Sequence, residues 1–230
     1  QPALDHIRFA LETGLHVATA NKGPIVHGLK ELSTLAESKN RHFFFESTVM
    51  DGAPIFSLFR DALPAANLLS FRGILNSTTN LILTRMESGE TFEDAVRYAQ
   101  SIGIAETDPS GDLDGWDAAI KVSALVTVLM GYPLKPQQVD RQGIRSLDSD
   151  QVLAAMKNGR RWKLVCSAAR EDDRILAKVS PEIVSPASQL YNIEGTTSII
   201  EFETDVLGKL TIRENDPGPR TTAYGLRGDF

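Results

Sequence analysis

Apolar residues recur at helical spacing from the start of the chain. Ala3, Leu4, Ile7, Phe9, Ala10 and Leu11 lead to Gly14, a natural helix stop, so the pattern predicts a helix over 2–13. Leu15 to Ala20 is a short β-prone run. Pro24 is expected to open a second helix through about Ser38, with Ile25, Leu29, Leu32 and Leu35 as its stripe. Arg41 to Val49 is a strand candidate, apolar on both faces like a sheet covered on both sides. Residues 53–63 have a helical look. The strand-like run Asn67–Leu75 ends in Asn76-Ser77-Thr78-Thr79-Asn80, which supplies cap chemistry for a helix reaching Met86. Thr91 and Asp94 begin another at 92–102, stopped by Gly103.

Residues 115–130 form the most informative segment. Only Asp117, Lys121, Ser123 and Thr127 are polar in its helical part, so the pattern predicts a buried helix closed by Gly131 and Pro133. Asp117 and Lys121 lie about 40° apart on one face at ~100° per residue. The same face continues with Ala124 and Val128, which are apolar. The charged pair therefore begins no solvent stripe. An ordinary surface i,i+4 ion pair is the commoner fate of such a spacing. Burial favours a functional pair instead, and is expected to lower the lysine pKa toward the range of a working acid/base. Just upstream, residues 104–115 carry Glu106, Asp108, Asp112 and Asp114. That loop lacks the spacing of a helix–loop–helix Ca²⁺ site. An acidic pocket beside a buried lysine suits a substrate with an ammonium group and a reactive oxygen.

The last third changes character. Ser149 is expected to cap a helix over 150–158. Strand-like runs then follow at 162–169, 175–184, 198–204 and 207–212, for which antiparallel pairing is plausible. No repeat, low-complexity tract or linker marks a boundary between independent domains.

Composition removes whole classes. The chain has 230 residues, 42% hydrophobic and 23% charged, which is a globular composition with enough length for a core. Its net charge of −6 and the absence of a Lys/Arg run argue against a nucleic-acid or membrane-surface binder. The single Cys166 excludes an internal disulfide framework. No apolar run approaches the ~18 residues of a membrane span. The expected compartment is the cytoplasm. His42 and Cys166, each alone in a strand-like run, read as packing residues.

Several long motifs carry a resemblance. They are Thr19-Ala20-Asn21-Lys22, Glu46 through Pro54, Arg72-Gly73-Ile74-Leu75-Asn76-Ser77-Thr78-Thr79-Asn80, and Gly103 through Pro109 with Asp112 through Lys121. In this order and spacing they resemble homoserine dehydrogenase over 2–147, and more weakly over 195–229. The resemblance implies NAD(P)-dependent interconversion of L-homoserine and L-aspartate 4-semialdehyde, in threonine, methionine and isoleucine biosynthesis. It implies a catalytic pair, Lys121 as acid/base and Asp117 beside it. Glu106 would bind the substrate ammonium and Asp112 would support it. Asn76, Ser77 and Thr78 would line the substrate pocket. Lys22, Gly103 and Gly218 would meet the cofactor. Glu46 with Val49, Asp51 and Ala53 would hold Na⁺ or K⁺. The turn Asn215-Asp216-Pro217-Gly218-Pro219-Arg220 departs from the family's glycine-rich pattern.

The expected fold class is α/β, a mixed sheet covered by helices and pairing into a homodimer. Residues 1–20 would be a remnant of a Rossmann nucleotide-binding domain, 21–214 a substrate and dimerisation domain, and 215–230 a segment returning toward the nucleotide side. No G-x-G-x-x-G turn is present. Two expectations follow: part of a longer active enzyme, or an incomplete substrate domain acting as an amino-acid-binding or dimerisation module.

Overall fold

A computed structural model describes residues 2–229. Helix α1 (Pro2–Glu12) packs on α2 (Lys22–Ser38) through Ile7, Leu11, Leu32 and Ala36. Asn21 caps α2 by accepting from the Gly23 amide, so the helix begins two residues before Pro24. The expected strands at 15–20 and 41–49 shrink to β1 (Val17–Ala18) and β2 (Phe43–Phe44), paired in parallel. This small core joins residues on both sides of the expected division at 20/21.

The second of those strands stops because Glu46 turns the chain. Its Oε1 accepts from the amides of Ile55 and Phe56 at 2.5 and 2.6 Å, and its Oε2 from that of Ser57 at 2.7 Å. A 3₁₀ turn over Glu46–Thr48 replaces the expected extended backbone. Regular helix over 53–63 is likewise reduced, to a wide π-type turn at Leu58–Ala62.

A six-stranded mixed sheet forms the frame, in the order β4-β6-β5-β3-β7-β8. Its strands are β3 (Leu68–Ile74), β4 (Asp140–Arg141), β5 (Arg161–Glu171), β6 (Arg174–Val184), β7 (Ser198–Thr204) and β8 (Gly208–Glu214). All pairs are antiparallel except β4 with β6. Alternation along these strands aims Phe71, Cys166, Ala168, Ile200 and Phe202 at one face. There they share the main core with α3 (Ser77–Glu87), α4 (Phe92–Ser101) and α6 (Trp116–Leu129). Short helix α5 (Ser110–Leu113) interrupts the expected loop before α6. Helix α7 (Ser149–Lys157) is capped by Asp148, one residue earlier than expected.

On the opposite face, residues 185–197 cover only part of the sheet. Leu190 and Ile193 pack there on Ile74, Val165, Val184 and Ile199. Two buried cations hold that segment: Arg161, paired with buried Glu87 of α3, also meets the exposed Glu194, and Lys163 donates to the Ile193 carbonyl at 2.6 Å. Helix α8 (Pro219–Gly228) follows the 215–218 turn, with Gly218 as its cap and Pro219 at its first position. It docks on the 46–53 turn with almost no gap. A Cβ on Gly225 would lie 2.2 Å from the Ser47 hydroxyl and 2.8 Å from the Gly52 Cα. Among the described residues no helix is long and apolar enough to cross a membrane. Cys166 is fully buried as expected, whereas His42 is exposed and stacks on His16 and Phe44.

Candidate active site

Helix α6 is apolar nearly all round and buried along most of its length, so its first turns carry Asp117 and Lys121 into the end of the core. Lys121 Nζ donates to the Leu75 carbonyl at 2.6 Å, just past the end of β3. It lies 3.3 Å from Asp117 Oδ2. The other carboxylate oxygen, Oδ1, is 3.2 Å from Lys22 Nζ at the start of α2. One carboxylate therefore bridges two lysines from two helices.

Asn76 ties this group to the acidic segment. Its Nδ2 donates to Asp112 Oδ1 at 2.7 Å and to Asp117 Oδ2 at 3.2 Å. Its Oδ1 caps α3 by accepting from the Thr79 amide. Buried Asn76 thus starts a helix and orients two carboxylates at once. Thr78 is buried and donates to the Ile104 carbonyl, while Ser77 is half-buried at the first turn of α3.

Burial pushes the Asp117 carboxyl up, but the charges of Lys121 and Lys22 and the Asn76 amide outweigh it, and the group ends well below the usual carboxylate range. Burial pushes Lys121 down, yet the Asp117 charge and hydrogen bond outweigh that, with Cys166 and Asp51 behind them, so its pKa is raised. This reverses the expectation that burial alone would lower the lysine. The sign follows from the partner: a buried cation within reach of a fixed carboxylate stays charged. Cys166, on the sheet beside Lys121, is pushed up to about 12 by burial.

Only part of the acidic segment converges here. Asp112 faces Asn76 and Asp117. Asp108 instead accepts from the Ser110 amide at the start of α5, and Asp114 pairs with Arg145. Glu106 is exposed, and its backbone carbonyl accepts from the Gln100 side chain. Gly103 ends α4 with φ of 74°, the conformation that favours glycine at a helix stop. Gly218 is extended, and no atom lies within 4 Å of where its Cβ would be, so open space adjoins it.

Sequence reasoning missed Glu214, at the end of β8 beside Asp51 and Lys121. Its carboxyl rises to about 7, through burial first and Asp51 second, against the pull of Lys121 and Thr221. The residue gave no motif signal, because only the register of β7 and β8 brings it to the site. Around Glu46, both oxygens are occupied by amides, and the Ala53 carbonyl accepts from the Ile55 amide. Asp51 accepts from the hydroxyls of Thr221 and Thr222. These groups close the 46–57 turn onto itself and onto α8. The Glu46 carboxylate therefore does not fit as an open ligand for Na⁺ or K⁺.

A cavity of about 510 Å³ opens beside the lysine–carboxylate group, lined by Asn21, Lys22, His27, Trp116, Asp117 and Gln137. Its volume lies in the usual range for a small-molecule site.

The family model for homoserine dehydrogenase matches residues 54–230. The chain belongs to the homoserine dehydrogenase family. The NAD(+)-dependent homoserine dehydrogenase of Pseudomonas canavaninivorans is 39% identical, over all of this chain and 66% of its own length. Homoserine dehydrogenase of Sulfurisphaera tokodaii is 35% identical, over all of this chain and 71% of its own. Among solved structures, a putative homoserine dehydrogenase from Archaeoglobus fulgidus superposes with a TM-score of 0.91 at 33% identity, covering 98% of this chain and 69% of that one. The Thiobacillus denitrificans homoserine dehydrogenase gives 0.93 at 31% identity, covering 100% and 53%. The chain thus spans about two thirds of the length of its first curated relatives. Thr19–Lys22 and Glu46–Ala53 precede the matched family region but lie within the alignments to those relatives.

Proposed function

We propose that this chain carries the substrate site of a homoserine dehydrogenase, which interconverts L-homoserine and L-aspartate 4-semialdehyde with NAD(P) in cytoplasmic amino-acid biosynthesis leading to threonine, methionine and isoleucine. One observation carries the reading beyond family membership. Lys22, Asn76, Asp112, Asp117 and Lys121 form one connected group at the edge of a cavity.

When bound, a nicotinamide dinucleotide would supply or take the hydride. The cavity at Lys22 has room for the nicotinamide end, and the family resemblance adds Gly103 and Gly218 as cofactor neighbours. Lys121 handles the proton. In reduction its ammonium donates to the oxygen of the aldehyde as that oxygen becomes a hydroxyl. In oxidation the neutral amine takes the hydroxyl proton. Leu75 and Asp117 fix the direction of Nζ, and Asn76 keeps Asp117 and Asp112 in place. Glu106 receives the substrate ammonium. The substrate carboxylate sits at the start of α3, where the cap takes the Thr79 amide and the first-turn amides of Ser77 and Thr78 have no partner within the helix. A Na⁺ or K⁺ near Val49, Asp51 and Ala53 would use carbonyl oxygens, with the Glu46 carboxylate holding the turn; no step depends on it.

We place a homodimer interface on the sheet face opposite the helices, which residues 185–197 leave partly open. The test of the catalytic reading is the full-length protein with L-homoserine and NAD or NADP. Formation of reduced cofactor that is lost in Lys121→Ala supports it. A wild-type protein that produces none overturns it.

A further inference from the structure

Strand β8 runs Leu210, Ile212, Glu214 on alternate positions, and the first two pack on the helix-covered face against the main core. The register pairs Phe202 with Leu210, Ile200 with Ile212 and Ser198 with Glu214. Glu214 therefore continues an apolar row as a carboxylate. On the neighbouring strand, Ile199 pairs with Ile74, so Ser198 stands beside Leu75, the residue whose carbonyl receives Lys121. Glu214 is thus two strands from Leu75, across Ser198, at the lysine end of the sheet.

Its environment is polar and incomplete. Asp51 faces it from the 49–53 turn, Lys121 from α6, and Thr221 from α8. The Thr221 hydroxyl reaches the Glu214 carboxyl but is shared with Asp51 and the Gly218 carbonyl. Glu214 Oε2 is buried and has no hydrogen-bond partner. A buried acceptor without a donor costs about 1–3 kcal/mol. A fold that keeps such an oxygen beside its acid/base lysine lacks a donor there.

We propose that Glu214 is a further ligand-binding residue of this site, whose buried Oε2 accepts a hydrogen bond from an N–H or O–H group of the molecule bound next to Lys121. The assignment rests on the dehydrogenase reading. Two ligands carry such donors: the amino-acid substrate, through its ammonium and hydroxyl, and the nicotinamide half of the cofactor, through its carboxamide and ribose hydroxyls.

The experiment is isothermal titration of the full-length protein at pH 8 with L-homoserine alone and with NADH and NADPH alone, in wild type, Glu214→Leu and Glu214→Gln. Leu removes the acceptor at nearly constant volume, and Gln keeps one acceptor oxygen. The expected result is a loss of tenfold or more in affinity for one ligand in Glu214→Leu, partly restored in Glu214→Gln. The ligand-free melting temperature should be unchanged or higher, because an unsatisfied oxygen has gone. Loss with homoserine assigns the donor to the substrate, and loss with NADH or NADPH assigns it to the cofactor. Unchanged affinities for all three ligands overturn the proposal, as does a fall in melting temperature with affinities intact, which marks a purely structural acid. A wild type that binds neither homoserine nor either cofactor defeats the dehydrogenase reading, and this assignment with it.

Discussion

Lys121 is charged for a definable reason, and that reason sets its pH behaviour. Its pKa is raised by Asp117 despite burial. As a proton donor it is loaded throughout neutral pH, so reduction of the semialdehyde should run on a plateau and fall only above the ordinary lysine value of about 10.5. As a base it must first lose that proton, so homoserine oxidation should climb steadily with pH. Rate profiles measured in both directions decide this; a bell centred near pH 7 in both would mean another group titrates. Lys121→Ala removes the proposed acid/base and should cut kcat by roughly 10²–10⁴ with the fold retained. Asp117→Asn acts through its neighbours. It leaves Lys121 with the Leu75 carbonyl and Lys22 without a carboxylate. The lysine pKa should then fall, moving the rise of the oxidation profile to lower pH while lowering the reduction plateau. For stability the sign is also fixed: the carboxyl of Asp117 is depressed, so its contribution is present above the unfolded carboxylate value of about 3.9 and fades as pH drops below it. The raised lysine contributes fully below about 10.5 and loses that contribution as pH rises from there through its own raised folded value.

At the scale of elements, the joint between α8 and the 46–53 turn is a close backbone contact near the site. Gly225 and Gly52 let two backbones touch, and Ser47, Thr221 and Thr222 lace them together. Gly225→Ala puts a methyl group where the Ser47 hydroxyl and the Gly52 Cα already stand. The helix must lift, and a loss of about 1–3 kcal/mol is expected for overpacking of this kind. Hydrogen exchange should show faster exchange in 219–228 and 46–57 while β3, β5 and β7 stay protected. Equal protection throughout would show that the joint has slack. This region is also the least legible in the sequence, for a physical reason. Glu46 organises residues 55–57 through its side chain, and α8, which opens at Pro219, is held by its contact with the 46–53 turn. Periodicity reports neither interaction. By contrast α2, α3, α4 and α6 are legible because each has a local stop or cap, Asn76 and Thr91 among them. Asp117 and Lys121 are legible because the apolar face on which they stand offers two charges no water, so each must find a buried partner. Lys22 joins them only through motif resemblance, since its link to Asp117 spans nearly a hundred residues. Glu214 has no signal short of the strand register.

For the molecule as a whole, the sheet is asymmetric. Helices α3, α4 and α6 pack on one face, and the 185–197 segment shields part of the other. Beyond that segment the open face carries charged pairs, Arg72 with Glu182 and Lys209 with Glu201, next to Ser70, which donates to Glu203. Leu176 lies on the same face, as its pairing with Ala169 shows, and is 53% exposed. A sheet face of this kind, flat and mixed in polarity, suits the isologous contact of a twofold dimer, in which each Arg72–Glu182 row meets its own copy. A single apolar residue at its margin is then a sensitive probe. Leu176→Asp adds a like charge on both sides of the contact and leaves the monomer core untouched, because the side chain already faces outward. Light scattering of the full-length protein should give a dimer mass for wild type and a concentration-dependent shift toward the monomer for Leu176→Asp, with the circular dichroism spectrum unchanged. A variant that stays dimeric at all concentrations would move the interface to another surface. A wild type that runs as a monomer would leave the acid/base group as a site complete within one chain.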